Sequence, residues 1–388
     1  MKLAMIGFGQ AGGKVVDRFI EFDRQTRGKT VRAAIAVNTA KADLHGLEHV
    51  PPENRVLIGQ TRVKGHGVGA DNELGAEVAQ EDIEEVQAAL DGVPVHEVDA
   101  FLIVAGLGGG TGSGGAPVLA KHLKRIYSEP VYGLGIVPSS QEGGIYTLNA
   151  ARSFQTFVRE VDNLIVFDND AWRSTGESVE GGYATINDEI VRRLGLLFGA
   201  GEIETGDVVA ESVVDSSEII NTLAGGGVST IGYAVDPLGD QKKGGLLSRF
   251  SKEDLDEVDE TNRITSLVRK ATLGRLTLPC EVQGAERALL VVAGPPNRLN
   301  RKGIERGRKW LEEQTGSMEI RGGDYPLPKE NAVACVVLLS GVTNVPRIKE
   351  LQQVAIEALE NIEDIRSQSE ANLEDLLSDS DEELSPLF

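Results

Sequence analysis

The sequence predicts an α/β chain: a doubly wound parallel-sheet domain in the N-terminal half, a long connecting helix, a C-terminal α+β domain, and a disordered acidic tail. Three observations predict it. Short apolar runs bounded by glycine or proline alternate with helical patterns over residues 1–182, as they do when crossover helices bury both faces of a parallel sheet. Ile186, Ile190, Leu194 and Leu197, three or four apart, mark a helix that begins near Gly182 and stops near Gly199-Ala200-Gly201. Beyond about Ile365 the chain turns polar, and Ser378-Asp379-Ser380-Asp381-Glu382-Glu383 is too charged to pack.

Taken in order, the expected strands of the first domain are Leu3–Ile6, Ala33–Val37, Val56–Ile58, Phe101–Ala105, Val131–Val137 and Leu164–Phe167. Residues 183–228 hold the connecting helix, the loop after it and a following helix. A second domain over 229–364 offers strand-like runs at Ala288–Ala293 and Ala332–Leu339, with helices from about Arg301 to Glu313 and Val345 to Ile362. Ile348, Leu351, Ala355, Ala358 and Ile362 share one face of the last helix, which predicts packing against a sheet. Gly239 to Asn262 reads as a long polar surface loop. The tail, 365–388, ends in the mildly apolar Leu384-Ser385-Pro386-Leu387-Phe388, either a partner-docking peptide or chance composition.

Composition narrows the function. A formal net charge of −21 and a pI near 4.7 argue against nucleic acid as a partner, because phosphate neutralisation needs clustered Lys and Arg. The same charge suits a salt-rich cytoplasm, where screening tolerates self-repulsion, or ordinary solubility. Cys280 and Cys335, far apart on apolar segments, read as buried core thiols in a reducing compartment. No apolar run approaches membrane-spanning length and the N-terminus has no signal-peptide pattern, so a cytoplasmic protein is expected. The five histidines lack metal-ligand spacing, so no protein-held metal is expected.

Two glycine-rich segments carry the chemistry. Gly7-Phe8-Gly9-Gln10-Ala11-Gly12-Gly13-Lys14, between the first strand and first helix, matches G-x-G-x-x-G, whose glycines let amides approach a phosphate at a helix N-terminus. Alone it also fits a nicotinamide-dependent oxidoreductase. The second strand, however, ends Val37-Asn38-Thr39 without the ribose-binding acid such enzymes need, and Val15 stands where a Walker loop has Ser or Thr. The run Gly106 to Gly115 follows a buried strand, ahead of a helix expected near Ala116-Pro117, so its amides and the Thr111 and Ser113 hydroxyls can converge on an anion.

Gly108-Gly109-Gly110-Thr111-Gly112-Ser113-Gly114 resembles the signature of the tubulin/FtsZ superfamily of self-assembling GTPases, and Gly9 to Lys14 is similar to that family's first phosphate loop. The resemblance covers nearly the whole chain except the tail and looks closest to the archaeal tubulin-like CetZ group. It implies GTP or GDP on Gln10, Ala11, Gly12, Gly13, Lys14, Gly108, Gly109, Gly110, Thr111 and Gly112, with Mg²⁺ held mainly by phosphates and water. Glu142 matches a carboxylate for the ribose hydroxyls, although Tyr146 stands where many FtsZ proteins have arginine. Asn169 matches a base-reading asparagine; Tyr183 and Asn187, four apart, suit base stacking and edge reading, or a plain helix surface. Asn38 and Thr39 either contact nucleotide or stabilise a turn, and Lys64 to Asn72, with His66 exposed, looks like the γ-phosphate-sensing loop.

Ser212-Val213-Val214-Asp215-Ser216-Ser217-Glu218 resembles the family's catalytic loop, whose two acids enter the site of the next subunit. Asp215 and Glu218 are thus the expected catalytic pair; the alternative is that Asp215 caps a helix beginning near Ser216 and Glu218 favours its positive end. Val213 and Glu218 replace the family's usual asparagine and aspartate. The resemblance implies a GTPase stacking on itself head to tail, with a cytoskeletal role in cell shape or, alternatively, division, and attachment to an envelope adaptor through the tail. A nucleotide-gated scaffold with little hydrolysis is the alternative.

Overall fold

A computed structural model describes residues 1–172, 179–200, 214–238 and 252–378. Its ten strands are β1 Leu3–Phe8, β2 Val31–Asn38, β3 Arg55–Leu57, β4 Ala100–Gly106, β5 Val131–Val137, β6 Asn163–Asp168, β7 Val228–Pro237, β8 Arg287–Gly294, β9 Glu319–Pro326 and β10 Ala332–Ser340. The longer helices are α1 Gly9–Thr26, α2 Asn72–Glu81, α3 Ile83–Leu90, α4 Gly110–Ile126, α5 Gly144–Glu160, α6 Val179–Gly199, α7 Ser216–Leu223, α8 Lys252–Leu273, α9 Arg301–Thr315 and α10 Pro346–Ser378. The strands form one sheet in the order β3-β2-β1-β4-β5-β6-β7-β10-β8-β9.

The first six strands run parallel in the doubly wound 3-2-1-4-5-6 order. Burial on both faces makes them near-continuous apolar runs: in β4, Phe101, Ile103 and Ala105 enter one core while Ala100, Leu102 and Val104 enter the other. Chain direction reverses its sense of winding between β1 and β4. The crevice at their C-terminal ends is where this topology places a ligand. Ile186, Ile190, Leu194 and Leu197 of α6 lie in the second core, as their spacing predicts.

The second half continues the sheet rather than starting a new one. β7 pairs parallel with β6 at Leu164↔Val228 and Ile165↔Ser229, then antiparallel with β10, which pairs antiparallel with β8. β9, parallel to β8, forms the far edge. Its sequence Glu319-Ile320-Arg321-Gly322-Gly323-Asp324 has no apolar run to announce it.

Four sequence expectations need correction. The surface loop expected from Gly239 to Asn262 is helical from Lys252 on, because acids in the first turn suit the helix's positive end; its earlier part lies outside the described residues. The tail expected to be disordered from 365 is helical to Ser378, continuing the last helix through a stretch that holds several good helix formers among its polar residues; 379–388 lie outside the described residues. The last helix packs on α5, where Ala355 joins Leu148 and Ala151, because α8 already covers that face of β10 through Ile264, Leu267 and Val268. Cys335 is fully buried, but Cys280 is only half-buried.

Candidate nucleotide-binding site

A cavity of about 410 Å³ opens at the C-terminal ends of β1 and β4. Two helices aim their N-termini into it, α1 from Gly9 and α4 from Gly110. The first N–H groups of each have no partner within the helix, and both helix dipoles favour an anion there.

The glycines divide into two kinds. A Cβ on Gly109 would stand in open space, so that backbone faces the cavity directly. Elsewhere the missing Cβ is a packing requirement: on Gly12 it would lie 2.0 Å from Val104 O, on Gly114 2.2 Å from Asn72 O, and on Gly115 2.2 Å from the Phe8 ring. Gly110 to Gly115 are accordingly the first turns of α4, not a loop, and the helix expected near Ala116 starts earlier. Pro117 then sits inside the helix, where it cannot donate to Ser113 O; Ser153 Oγ does so instead at 2.7 Å.

Around these termini the structure gathers Gln10, Ala11, Lys14, Asn38, Gly108, Gly109, Gly110, Thr111, Gly112, Glu142, Asn169, Tyr183 and Asn187 in the lining of one cavity. Gly12 and Gly13 are absent from it, Gly12 beneath the β4 backbone and Gly13 against Leu47. Asn38 fulfils the turn role foreseen for it while lining the cavity: Oδ1 accepts from Ala40 N at 3.1 Å and Nδ2 donates to Asp43 at 3.1 Å. Thr39 and Thr111 share a buried 2.7 Å hydroxyl contact that ties β2 to α4. Exposed His66 lines the rim with Gly67 to Ala70.

Polar geometry suits a sugar and a base. Glu142 Oε1 accepts from Ser139 N at 2.7 Å in a capping box that fixes the carboxylate at the cavity edge. Asn169 is buried, and its Oδ1 has no hydrogen-bond partner among the described residues, an arrangement that a ligand donor would complete. Two residues missed in the sequence help build the site. Asp43 lines the cavity and accepts from Gln10 Nε2 at 3.2 Å, with no local motif to flag it. Asn149, mid-helix in α5, donates to Ala70 O at 2.6 Å and Gly108 O at 3.0 Å, clamping the rim loop to the glycine segment.

Asp215 and Glu218 are not at this cavity. Asp215 is the N-cap of α7: Oδ1 accepts from Glu218 N at 3.0 Å and Ser217 Oγ at 2.6 Å, and those bonds, Ser217's foremost, hold its carboxyl below the usual range. Burial, then Asp215's charge, raises the Glu218 carboxyl above the usual range, and its buried Oε2 has no hydrogen-bond partner among the described residues. Ser216 Oγ donates at 2.9 Å to Asp99, whose same carboxylate oxygen accepts from Lys2 N at 2.7 Å. Lys2 and Asp99 precede β1 and β4, so the acid pair lies at the N-terminal edge of the sheet. At ~3.3 Å per residue, a strand the length of β4 puts about 20 Å between that edge and the cavity. Val213 lies outside the described residues.

Phosphate-directed helix termini at a topological switch point, with an acid pair on the opposite edge, define an α/β protein whose ligand site and acids face away from one another. Residues 2–177 match the GTPase domain of the Tubulin/FtsZ family and residues 176–357 match the C-terminal domain of tubulin-like CetZ. Tubulin-like protein CetZ1 of Haloferax volcanii is 76% identical over 373 residues, covering 94% of each chain. Its solved structure, a GDP-bound monomer, aligns at a TM-score of 0.83 with 73% identity, over 92% of this chain and 100% of that one. The CetZ2 structure from the same organism, a GTPγS-bound protofilament, aligns at 0.83 with 47% identity, over 94% and 100%. The chain belongs to the tubulin-like CetZ family of the tubulin/FtsZ GTPases.

Proposed function

We propose that the chain binds GTP and GDP in the cavity, stacks head to tail on copies of itself, and hydrolyses GTP where the Asp215 and Glu218 edge of one subunit meets the cavity of the next. The observation that carries this is the separation of the acid pair from the cavity by the length of the sheet. A subunit that cannot bring its own acids to its own ligand needs a neighbour to do so. The GDP and GTPγS bound to CetZ1 and CetZ2, and the protofilament formed by the latter, support the same reading.

In this scheme the amides of Gly108 to Gly112 and the α1 terminus hold the phosphates, and Lys14 offsets their charge. Glu142 accepts from the ribose hydroxyls; Asn169 and Asn187 read the base edge while Tyr183 stacks. Mg²⁺, as in the family, would rest mainly on phosphate oxygens and water and neutralise charge there. Asp215 and Glu218 would orient the attacking water. Turnover of GTP per subunit in Mg²⁺ and high salt should rise with protein concentration; a flat profile would refute the shared site.

A nucleotide-gated scaffold is favoured by one feature, Val213 in place of the family's asparagine, and filaments carrying unhydrolysed GTP would establish it. Control of cell shape, with the tail engaging an envelope adaptor, is the role that family resemblance suggests. Rounded or misshapen cells on deletion would support it.

A further inference from the structure

Behind the ribose loop lies a charged cluster that the cavity does not use. Arg347, in the first turn of α10, is 8% exposed. Its guanidinium crosses to the first domain: Nη2 donates to Pro138 O at 3.1 Å and lies 3.0 Å from Asp170 Oδ2, while Nε is 3.4 Å from Asp168 Oδ1. Nη1 is 3.0 Å from Glu350 of its own helix. Asp170 extends the link, its Oδ1 accepting from Ser139 Oγ at 2.6 Å, Ser140 N at 3.0 Å and Ser140 Oγ at 3.2 Å. Ser139 N in turn donates to Glu142, and Asp168 and Asp170 flank Asn169. Arg347 itself does not line the cavity.

We infer that Arg347 is a positioning residue for the nucleotide: it ties the ribose loop 138–142 and the base-facing turn 168–170 to α10, so the C-terminal helix sets the sugar and base contacts. The inference rests on the cavity's being a nucleotide site. Its physical basis is the cost of undoing a buried pair: without the guanidinium, Asp168 and Pro138 O stay buried with a partner removed, and the two segments have no common anchor. Burial pushes Asp168 up to about 6, with Arg347 drawing it down and Asp170 acting both ways, through its charge and its N–H at 3.2 Å. Glu350 faces Arg347 from the same helix. Above about 6 the Asp168 carboxylate is ionised and paired; as pH falls through that value the pair is lost.

The test is fluorescent GDP titration of the full chain and its Arg347→Met, Arg347→Lys, Asp170→Asn, Asp168→Asn and Leu351→Ala variants, each checked by thermal melting. Arg347→Met and Asp170→Asn should bind about tenfold more weakly or worse, Arg347→Lys should regain part, and Leu351→Ala, which removes a buried apolar contact of α10 but leaves the guanidinium and its partners in place, should lose clearly less affinity than Arg347→Met. The terminal phosphate also titrates near 6, so Asp168→Asn supplies the baseline. The parent chain should lose affinity below pH about 6 beyond that baseline, with the midpoint moved upward in Arg347→Met. Parent-like affinity in Arg347→Met and Asp170→Asn, or an equal loss in Leu351→Ala, overturns the inference while leaving the pocket intact. A parent chain that binds no GDP overturns the pocket reading itself, and this inference with it.

Discussion

Two glycines, one from each glycine-rich segment, face opposite substitution outcomes. At Gly12 an added Cβ meets a β4 carbonyl at 2.0 Å, and backbone cannot step aside, so Gly12→Ala should cost stability at the upper end of the ~1–3 kcal/mol typical of overpacking. At Gly109 the space is open, so Gly109→Ala should stay within about 0.5 kcal/mol of the parent in denaturant titration. Its effect falls instead on GDP affinity, which a direct titration would reveal as reduced. Asp215 calls for a similar separation, because its carboxylate both caps α7 and stands in the proposed acid pair. Serine is as good an N-cap as aspartate, so Asp215→Ser should preserve the melting temperature while slowing GTP turnover. Unchanged turnover would reduce Asp215 to a cap.

Among elements, α5 joins parts of the site that are distant in sequence. Asn149 holds Ala70 O and Gly108 O together, and its truncation leaves both carbonyls without that donor. Asn149→Ala should cost about 1–3 kcal/mol of stability and, if the rim loop senses the γ-phosphate as the family resemblance implies, weaken GTP more than GDP. Equal weakening of both nucleotides would show that the clamp serves the glycine segment alone. The sequence could not have offered this residue: a polar side chain mid-helix has no motif, and its partners lie 79 and 41 positions away. The strands of the first domain were legible for the opposite reason, since burial on both faces leaves continuous apolar runs in β1, β4 and β5. Edge strand β9 and the polar first turns of α8 carried no such run, so the one went unseen and the other read as loop.

For the whole molecule, the decisive feature is polarity along the sheet. The cavity occupies the C-terminal ends of β1 and β4, and the α7 acids stand at the N-terminal ends. Most of the cavity's residues were readable one by one, because phosphate loops and strand ends are local in sequence. Their relation to Asp215 and Glu218 was not, because it depends on which end of the sheet each loop joins. The most direct measurement is GTP hydrolysis by a mixture of two variants, Gly109→Asp, with a carboxylate in the phosphate cradle, and Glu218→Gln, with one acid neutralised. Each alone should be nearly inactive. Mixed in equal amounts they should recover up to about a quarter of the parent rate, since random head-to-tail stacking pairs an intact cavity with an intact acid edge at that frequency. A mixture no faster than the sum of its parts, or Glu218→Gln hydrolysing like the parent, would contradict the shared site.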